Sequence, residues 1–389
     1  MTRKFPKVTV WRVIFAAILL CGLYATYRRV VYGLGGSTNL SDRFPWGLWI
    51  AFDVMCGVGL AAGGFTLVAM VHIFNIDKYR PILRPAILTA FLGYLLVVVG
   101  LLYDLGHPER LWHPLVMWNP HSVMFEVAWC VTLYTTVLFL EFIPVVFEKF
   151  GLHKPLEWIH KISVPLMILG VLLSTLHQSS LGSLFLIVPE KLYPLWYSPI
   201  LPLLFYISSI AVGLAMTIFE SWHSSRAFGR ALELPLLMSM ARVLAVVLSL
   251  YLWVRFLDLS HRHALGLLTQ NRIETWLFAL EMGLMIVPMV LLFQARIRSK
   301  PGSLYACAVM VVFGFIANRL NVGTTGLEAG SGTHYMPRWT EVAVTLSIVA
   351  AGFAIFRGIA QYFPIFEKHS PEHAPAEVEE KEADSVGVA

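Results

Sequence analysis

Ten long apolar runs follow one another along the 389-residue chain, and each is close to the length of a membrane-crossing helix. A helix needs roughly 20 apolar residues to cross a bilayer, and it satisfies its own backbone hydrogen bonds in lipid. Charged residues make up only 14% of the chain, against about 25% in soluble domains. The sequence therefore predicts an all-α integral membrane protein with about ten transmembrane helices in a bundled arrangement. The predicted spans are 10–32, 46–74, 84–104, 121–147, 162–187, 200–220, 236–257, 273–295, 303–320 and 340–362.

Composition divides the chain into a membrane domain at 1–366 and a short tail at 367–389. The tail is rich in Glu, Pro and Ala, so we expect it to be disordered and exposed in the cytoplasm. Lysine and arginine predominate in the loops on the N-terminal side, which predicts that both termini are cytoplasmic. These basic residues act as topology signals and give no reason to expect nucleic-acid binding. We therefore predict a multi-pass protein of the bacterial inner membrane, with the alternate loops in the periplasm.

Cysteine and histidine usage argues against a redox cofactor held by this chain. All four cysteines lie within apolar runs, and none forms a CxxC pair: Cys21, Cys56, Cys130 and Cys307. They supply no iron–sulfur or metal site of their own. A b-type haem needs two histidines at one depth on facing helices, whereas His72 and His177 are predicted near opposite membrane faces. We therefore expect no haem, no iron–sulfur cluster and no metal site in this chain.

A polar patch at 175–183 interrupts one of the apolar runs. Its side chains must face a protein interior or a wet cavity, because lipid cannot satisfy them. His177 of this patch and several ionisable residues outside it are predicted at the same level, near the periplasmic face. The set comprises Asp53, Asp104, His107, Glu126, His177 and Arg319. A group that exchanges both protons and electrons, such as a quinone, needs titratable partners of this kind.

Structural roles for these residues are the alternative to a quinone site. Asp53 or Glu126 could neutralise Arg319, and His177 could hydrogen-bond a backbone carbonyl. A second set of polar residues is predicted deeper in the membrane and could form a proton route from the cytoplasm: Tyr94, Glu220 and Glu281. Its alternative is that Glu220 and Arg84 lie at the interface and reach to water. Gly59 and Gly63 form a GxxxG step, which predicts close approach of a neighbouring helix.

Three segments resemble the NrfD/polysulfide-reductase-C family: Phe44–Asp53, Asn119–Glu126 and Leu176–Ser183. The resemblance covers nearly the whole chain and is strongest to the Hyb-type membrane subunits of respiratory nickel–iron hydrogenases. It implies a subunit without its own redox cofactor, which binds a quinone near the periplasmic face and receives electrons from an iron–sulfur partner. It also implies that Tyr94, Glu126, His177 and Glu220 take part in quinone chemistry or proton movement, and Asp53 matches the family's motif acid.

Together these observations predict a quinone-reducing subunit of a hydrogen:quinone oxidoreductase complex in anaerobic respiration, which does not itself act on hydrogen. The predicted partners are a periplasmic iron–sulfur electron-transfer subunit, the large and small subunits of a nickel–iron hydrogenase, and membrane lipid. Low-potential electron donors favour menaquinone as the bound substrate, although another quinone fits the same description. Protons drawn from the cytoplasm would couple the cycle to proton translocation.

The predicted quinone headgroup lies among Asp53, Glu126 and His177. Trp46 and Trp49 are predicted to form an apolar wall beside it. The same pocket is predicted to include Asp104, His107 and Arg319. His177 would hydrogen-bond a quinone carbonyl and Glu126 would donate a proton. Tyr94 and Glu220 would pass protons from the cytoplasm.

Three other functions remain open at this point. The chain could be the membrane subunit of another periplasmic oxidoreductase, for example one of the molybdopterin type. It could be a solute or ion transporter, because intramembrane acids and helix-breaking Gly or Pro suit one, although no inverted repeat is evident. It could also serve only as an anchor for a periplasmic enzyme.

Overall fold

The computed structural model describes residues 9–366 and contains ten helical spans, labelled α1 to α10. Their bounds are α1 Val10–Ser37, α2 Trp49–Ile73, α3 Asp77–Asp104, α4 Val123–Phe150, α5 His153–Ile187, α6 Leu201–Phe228, α7 Leu234–His261, α8 Ile273–Phe293, α9 Pro301–Ser331 and α10 Trp339–Tyr362. No β-strand occurs within 9–366. The predicted all-α membrane bundle of about ten spans is thus confirmed. The tail predicted to be disordered, 367–389, lies outside the described residues.

Several helices extend beyond the apolar runs that predicted them. α5 begins at His153, well before the predicted start at 162, and α9 continues to Ser331 instead of ending near 320. Hydropathy marks the part of a helix that lies in lipid, whereas the backbone hydrogen bonding continues into polar turns at either end. The span boundaries were therefore the least accurate part of the prediction.

Eight of the spans form two closed groups of four. In the first group α2, α3, α4 and α5 each pack on the next and α5 returns to α2; α6, α7, α8 and α9 form the second group in the same way. α1 pairs with α10, and α10 packs against α3 on the outside of the first group. α2 and α6 are the most deeply enclosed spans, and they join the two groups.

Glycine permits the close crossing of α2 and α6. A Cβ placed on Gly63 would lie 3.0 Å from Thr217 Oγ1 and 3.1 Å from the carbonyl oxygen of Gly213. A Cβ on Gly213 would lie 2.8 Å from the backbone carbonyl carbon of Ala62. Gly59, the other glycine of the GxxxG step, accommodates the ring of Phe315 on α9. The predicted close approach is therefore confirmed, with α6 facing Gly63 and α9 facing Gly59.

α2 departs from regular helix over much of its length. Its first two turns, Trp49–Cys56, are π-helical, as is the last turn, Ala69–Ile73. The backbone also breaks at Ala61 and Ala62, between the two short α-helical pieces. A π-helical turn accommodates an extra residue and so rotates the side chains that follow it, which is why such turns often occur at functional sites.

Candidate functional site

Asp53 lies in the π-helical start of α2 and is turned towards α3 and α10. Its side chain is 5% exposed, and Thr345 on α10 donates a hydrogen bond to its Oδ2 at 2.6 Å. Its Cβ lies against Gly100 on α3, where any larger side chain would collide with it. Among the described residues, Thr345 supplies the one hydrogen bond to this enclosed carboxyl group.

Charged residues from α1 and α3 lie above Asp53 at the end of the bundle. Asp104 ends α3 within electrostatic range of Asp53 and of Arg29. Arg29 is 8% exposed and donates to the backbone oxygens of Tyr103 at 2.7 Å and Leu105 at 2.6 Å. The guanidinium therefore satisfies carbonyls at the C-terminus of α3 and also lies near the Asp104 carboxyl group.

A hydrogen-bonded network fixes the chain that leads into Asp53. Tyr335 donates its hydroxyl hydrogen to Glu341 Oε1 at 2.5 Å and accepts the backbone N–H of Leu48 at 2.9 Å. Trp49 donates its indole N–H to the backbone oxygen of Glu341 at 3.2 Å. Burial raises the pKa of Tyr335, which keeps its hydroxyl protonated and able to donate. This network ties the start of α2 to the start of α10 and so holds the π-helical turn in place.

A large apolar cleft runs from Asp53 between α2, α3, α6 and α10. Its volume is about 390 Å³, and among residues 9–366 the carboxyl groups that line it are those of Asp53 and Glu220. Val349 and Phe353 at its margin are 36% and 61% exposed on the apolar outer face of α10, so the cleft opens towards lipid. Thr89 donates a hydrogen bond to Glu220 Oε2 at 2.7 Å. Each acid of the cleft thus accepts a hydrogen bond from one threonine hydroxyl.

The opposite end of the cleft carries basic side chains. His223 and Arg357 both line it, next to Glu220. A second, smaller cavity of about 50 Å³ also reaches Glu220, from the side that the charge distribution predicts to be cytoplasmic. Glu220 therefore lies between this small cavity and the apolar cleft.

His177 and Tyr94 lie in contact inside the first four-helix ring, and Glu126 lies on an exposed part of α4 at one end of that ring. His177 is fully buried, and its ring centroid lies 5.7 Å from that of Tyr94. The Tyr94 ring in turn lies edge-on to the ring of Tyr134 on α4, with 4.7 Å between the ring centroids. Glu126 accepts a hydrogen bond from Ser180 at 2.5 Å. These contacts bring three of the predicted catalytic residues onto the facing surfaces of α3, α4 and α5.

Arg319 lies in the second ring, away from Asp53 and Glu126, so neither acid neutralises it as the alternative structural role required. It donates to Asn318 Oδ1 at 2.6 Å and to Ser208 Oγ at 2.9 Å, and its guanidinium lies over the rings of Phe205 and Phe315. Asn318 also donates to Glu281 Oε1 at 2.8 Å. Arg319 is therefore part of a buried network with Glu281 and does not pair with Asp53 or Glu126.

Two further residues of the predicted pocket lie near the outer surface. His107 is exposed in the loop after α3, with Nδ1 2.9 Å from Glu109 Oε1. Two hydrogen bonds lower the pKa of Glu109. The larger effect comes from the backbone N–H of Glu109, and the smaller comes from the side chain of His107. Trp46 precedes α2, and its ring lies edge-on to that of Phe185 on α5, with 6.0 Å between the ring centroids. Neither residue lines the apolar cleft.

The predicted single pocket is thus divided into groups that face different helices. Asp53 contacts α3 at Gly100, whereas His177 contacts it at Tyr94, about 9 Å further along the helix. Asp53 and Asp104 share the outer end of the first ring with α1 and α10, and Arg319 belongs to the second ring. Depth can be estimated from position in an apolar run, but the direction in which a side chain points cannot. The irregular start of α2 makes that direction still harder to predict.

Sequence reasoning missed two polar residues of these groups, Thr345 and Glu341. It also missed Glu141 of α4, whose buried Oε1 has no hydrogen-bond partner within the described residues. Threonine in an apolar helix gives a weak signal, because its hydroxyl can bond its own backbone one turn before it. Glu341 sits at the edge of its apolar run and was not distinguished from an interfacial acid. Glu141 lies inside an apolar run of α4, so the rule that intramembrane acids deserve a functional hypothesis would have identified it.

The ten spans and the acids that they enclose define a multi-pass integral membrane protein of the bacterial inner membrane. Residues 36–328 match the family described as Polysulphide reductase, NrfD. The chain therefore belongs to the NrfD family.

Similar proteins are named as parts of oxidoreductases. The chain is 33% identical over 361 residues to the "Probable Ni/Fe-hydrogenase 2 b-type cytochrome subunit" of Escherichia coli, covering 90% of this chain and 91% of that protein. It is 28% identical over 401 residues to the "Menaquinone reductase, integral membrane subunit" of Nitratidesulfovibrio vulgaris, covering 94% of each. It is 25% identical over 419 residues to a selenate reductase subunit of Mesobacillus selenatarsenatis, covering 92% of this chain and 95% of that protein.

The residues in the membrane interior do not fit a bis-histidine haem, although one relative is named a b-type cytochrome subunit. Such a haem needs two histidines that face each other. Among the histidines of residues 9–366 only His177 is buried, and the ring packed on it is that of Tyr94. The same part of the chain places no three His, Cys, Asp or Glu side chains where they could hold a metal ion. That the chain carries no haem or iron–sulfur cluster stays a prediction.

Proposed function

We propose that this chain is the quinone-binding membrane subunit of a respiratory complex and passes electrons from a periplasmic iron–sulfur and nickel–iron hydrogenase to menaquinone. The observation that carries the proposal is the 390 Å³ apolar cleft that opens to lipid and has Asp53 at its outer end. A quinone reaches its site from the bilayer, and its isoprenoid tail requires an apolar lining.

The chemistry of quinone reduction fits the polar groups at the outer end of the cleft. Each quinone takes up two electrons and two protons, so a protonatable group must lie beside the headgroup. Asp53 borders the cleft and Thr345 fixes its orientation by hydrogen bonding. Asp104, near Asp53, provides a second carboxyl group through which protons can be replaced. Asp53 lies about one turn inside the end of α2, so a cluster docked on the outer surface would be close to the headgroup.

Relatives and surface chemistry support an oxidoreductase partner on the outer face. The loop between α3 and α4 exposes apolar side chains, with Trp112 at 53%, Met117 at 62% and Trp118 at 67%. Exposed aromatic and methionine residues are typical of protein interfaces. The E. coli relative is named as a hydrogenase subunit, and on that likeness we propose that the partners are an iron–sulfur electron-transfer subunit and a nickel–iron hydrogenase.

A molybdopterin-type oxidoreductase is the second candidate for the partner, because the selenate reductase relative is also similar to this chain. Affinity purification of the tagged chain from its native membrane, with mass spectrometry of the co-purified subunits, separates the two. We expect large and small nickel–iron subunits in stoichiometric amount. Recovery of a molybdopterin protein instead would exclude the hydrogenase partner but not the quinone site. Recovery of the chain without any oxidoreductase partner would support a transporter.

Filling the cleft should block quinone reduction. Val349→Phe adds bulk at the lipid-side margin of the cleft, so we expect quinone-linked electron transfer in the purified complex to fall at least tenfold. Leu346→Phe is the matched control, because Leu346 lies one turn away on α10, is 48% exposed and does not line the cleft. Equal rates for the two variants, with both complexes intact, would contradict quinone binding in the cleft.

A further inference from the structure

The π-helical turn at the start of α2 meets a second π-helical turn, which comes from the other four-helix ring. The first turn is Trp49–Cys56 of α2 and the second is Asn321–Thr325 of α9. They meet at Gly323, where an added Cβ would lie 2.8 Å from Ala51 Cβ, 3.2 Å from Ala51 Cα and 2.5 Å from Met55 Cε. The lack of a side chain at Gly323 therefore lets the two backbones pack directly on each other.

Asp53 lies on the opposite side of the same turn of α2. Residues two positions apart on a helix point in nearly opposite directions. Ala51 and Met55 face α9, whereas Asp53, which lies between them in sequence, faces α3 and α10. A Cβ added to Gly100 of α3 would lie 2.7 Å from Asp53 Cβ. The turn that carries Asp53 is thus held between a glycine of α9 and a glycine of α3, which leaves it little freedom to shift sideways.

The loop between α5 and α6 lies against α9 and blocks its movement. Leu192 and Trp196 of this loop are 3% and 0% exposed. A Cβ added to Gly326 would lie 2.6 Å from Leu192 Cδ1 and 3.4 Å from Trp196 Cε3. The backbone N–H of Tyr193 also donates to the Gly326 oxygen at 3.0 Å. Crowding at Gly323 would therefore displace the turn of α2 more readily than it would displace α9.

The buried acid of the second ring fixes the start of the π-helical turn of α9. Asn321 donates to Glu281 Oε2 at 2.9 Å, and Trp196 donates to the same oxygen at 2.9 Å. Glu281 thus joins the turn of α9 to the loop that lies against it. Contacts therefore run without a break from this loop, through α9, to the turn that carries Asp53.

We propose that Gly323 of α9 is a positioning residue for quinone reduction, because the contact between the two π-helical turns sets how far Asp53 enters the cleft. The proposal rests on the proposed function, in which Asp53 lies beside the quinone headgroup and gives it a proton. A proton donor must lie within about 3 Å of its acceptor, and a misplacement of about 1 Å can slow a reaction by roughly 100-fold. Gly323 does not line the cleft and acts through the backbone of α2.

Crowding of this contact tests the proposal. In the purified complex, Gly323→Ala should lower kcat for menaquinone reduction at least tenfold and leave KM within threefold, because the quinone still binds but its proton donor is displaced. The solvent deuterium isotope effect on kcat should rise, since proton transfer becomes slower than the other steps. A merely structural defect would reduce the amount of active complex and leave the isotope effect unchanged.

Moving the methyl group from one side of the contact to the other should restore the rate. Ala51→Gly combined with Gly323→Ala keeps one Cβ between the turns, so kcat should return to within threefold of the native value. Gly314→Ala is the matched control on α9. Its Cβ would lie 3.1 Å from Leu284 Cβ and would crowd α9 against α8 instead of against α2. We expect native kcat, KM and isotope effect in this control.

The outcomes separate this proposal from the proposed function. A native kcat in an assembled Gly323→Ala complex, or a lowered kcat that the double variant does not restore, would overturn the proposal and leave the quinone site standing. If Gly323→Ala does not assemble, Ala51→Gly alone decides, because it opens the contact without crowding it. A kcat at least threefold lower then supports the proposal, and a native kcat overturns it. A native complex that does not reduce menaquinone would refute the proposed function and this proposal with it.

Discussion

Asp53 depends on two small neighbours for its position in the cleft. Gly100 leaves room for its side chain, and Thr345 orients its carboxyl group through a single hydrogen bond of 2.6 Å. Position within an apolar run was enough to identify Asp53 as a candidate. The role of Thr345 could not be predicted, because the two residues are far apart in the sequence and nothing in a threonine shows which helix it faces.

Removal of the Thr345 hydroxyl should therefore weaken catalysis without altering the fold. Thr345→Val keeps the shape of the side chain, and the loss of one hydrogen bond of about 0.5–1.5 kcal/mol corresponds to roughly a two- to tenfold slower quinone-linked rate. Steady-state rates at several quinone concentrations would show it. Ser347→Ala is the control, since Ser347 bonds only to the Val344 carbonyl of its own helix. A native rate in Thr345→Val would mean that Asp53 needs no such orientation.

Elements were easier to predict than their irregularities. Hydropathy identified all ten spans because lipid imposes a minimum length on each apolar run. It gave no sign of the π-helical turns at Trp49–Cys56 and Asn321–Thr325, which depend on contacts with other helices. The GxxxG step predicted that another helix crosses α2 closely. It did not predict that Gly213 of α6 is the residue at the crossing, because isolated glycines are common in helices.

The close crossing predicts unequal effects of two glycine substitutions. Gly213→Ala would place its Cβ 2.8–2.9 Å from backbone atoms of α2, so one helix must move and the thermal midpoint in detergent should fall by several degrees. Gly283→Ala, in the middle of α8, meets no described atom within 4 Å and should be neutral or stabilising by up to about 1 kcal/mol. Equal midpoints for the two variants would argue that the helices are not in contact at Gly213.

At the scale of the whole molecule, the two four-helix rings use buried charge differently. In the first ring Asp53 is buried beside the cleft and accepts a single hydrogen bond, from Thr345. The second ring surrounds Glu281 with three donors and connects it to Arg319 through Asn318. Glu281 and Arg319 were both candidates for quinone or proton chemistry from sequence, because depth and charge alone do not distinguish a satisfied network from an unsatisfied one.

Glu281 should accordingly behave as a structural residue. Glu281→Ala would leave three buried donors without an acceptor, and each buried polar group left unsatisfied costs about 1–3 kcal/mol. We expect poor assembly of the complex and a lower unfolding temperature, whereas Glu148→Gln, which removes only a partly exposed ion pair with Arg84, should assemble normally. A Glu281→Ala complex that assembles and unfolds like the native one would contradict this structural role.

Covalent mapping of the bound quinone is the most direct test of the account as a whole. A photoreactive menaquinone analogue, irradiated in the native complex and followed by peptide mass spectrometry, reports which helices surround the headgroup. The cleft predicts labelled residues on α2 near Asp53, on α3 between Thr89 and Val97 and on α10 between Ile348 and Arg357, with excess unlabelled menaquinone suppressing them. Labels confined to the surroundings of Glu126 and His177, with none in the cleft, would contradict it.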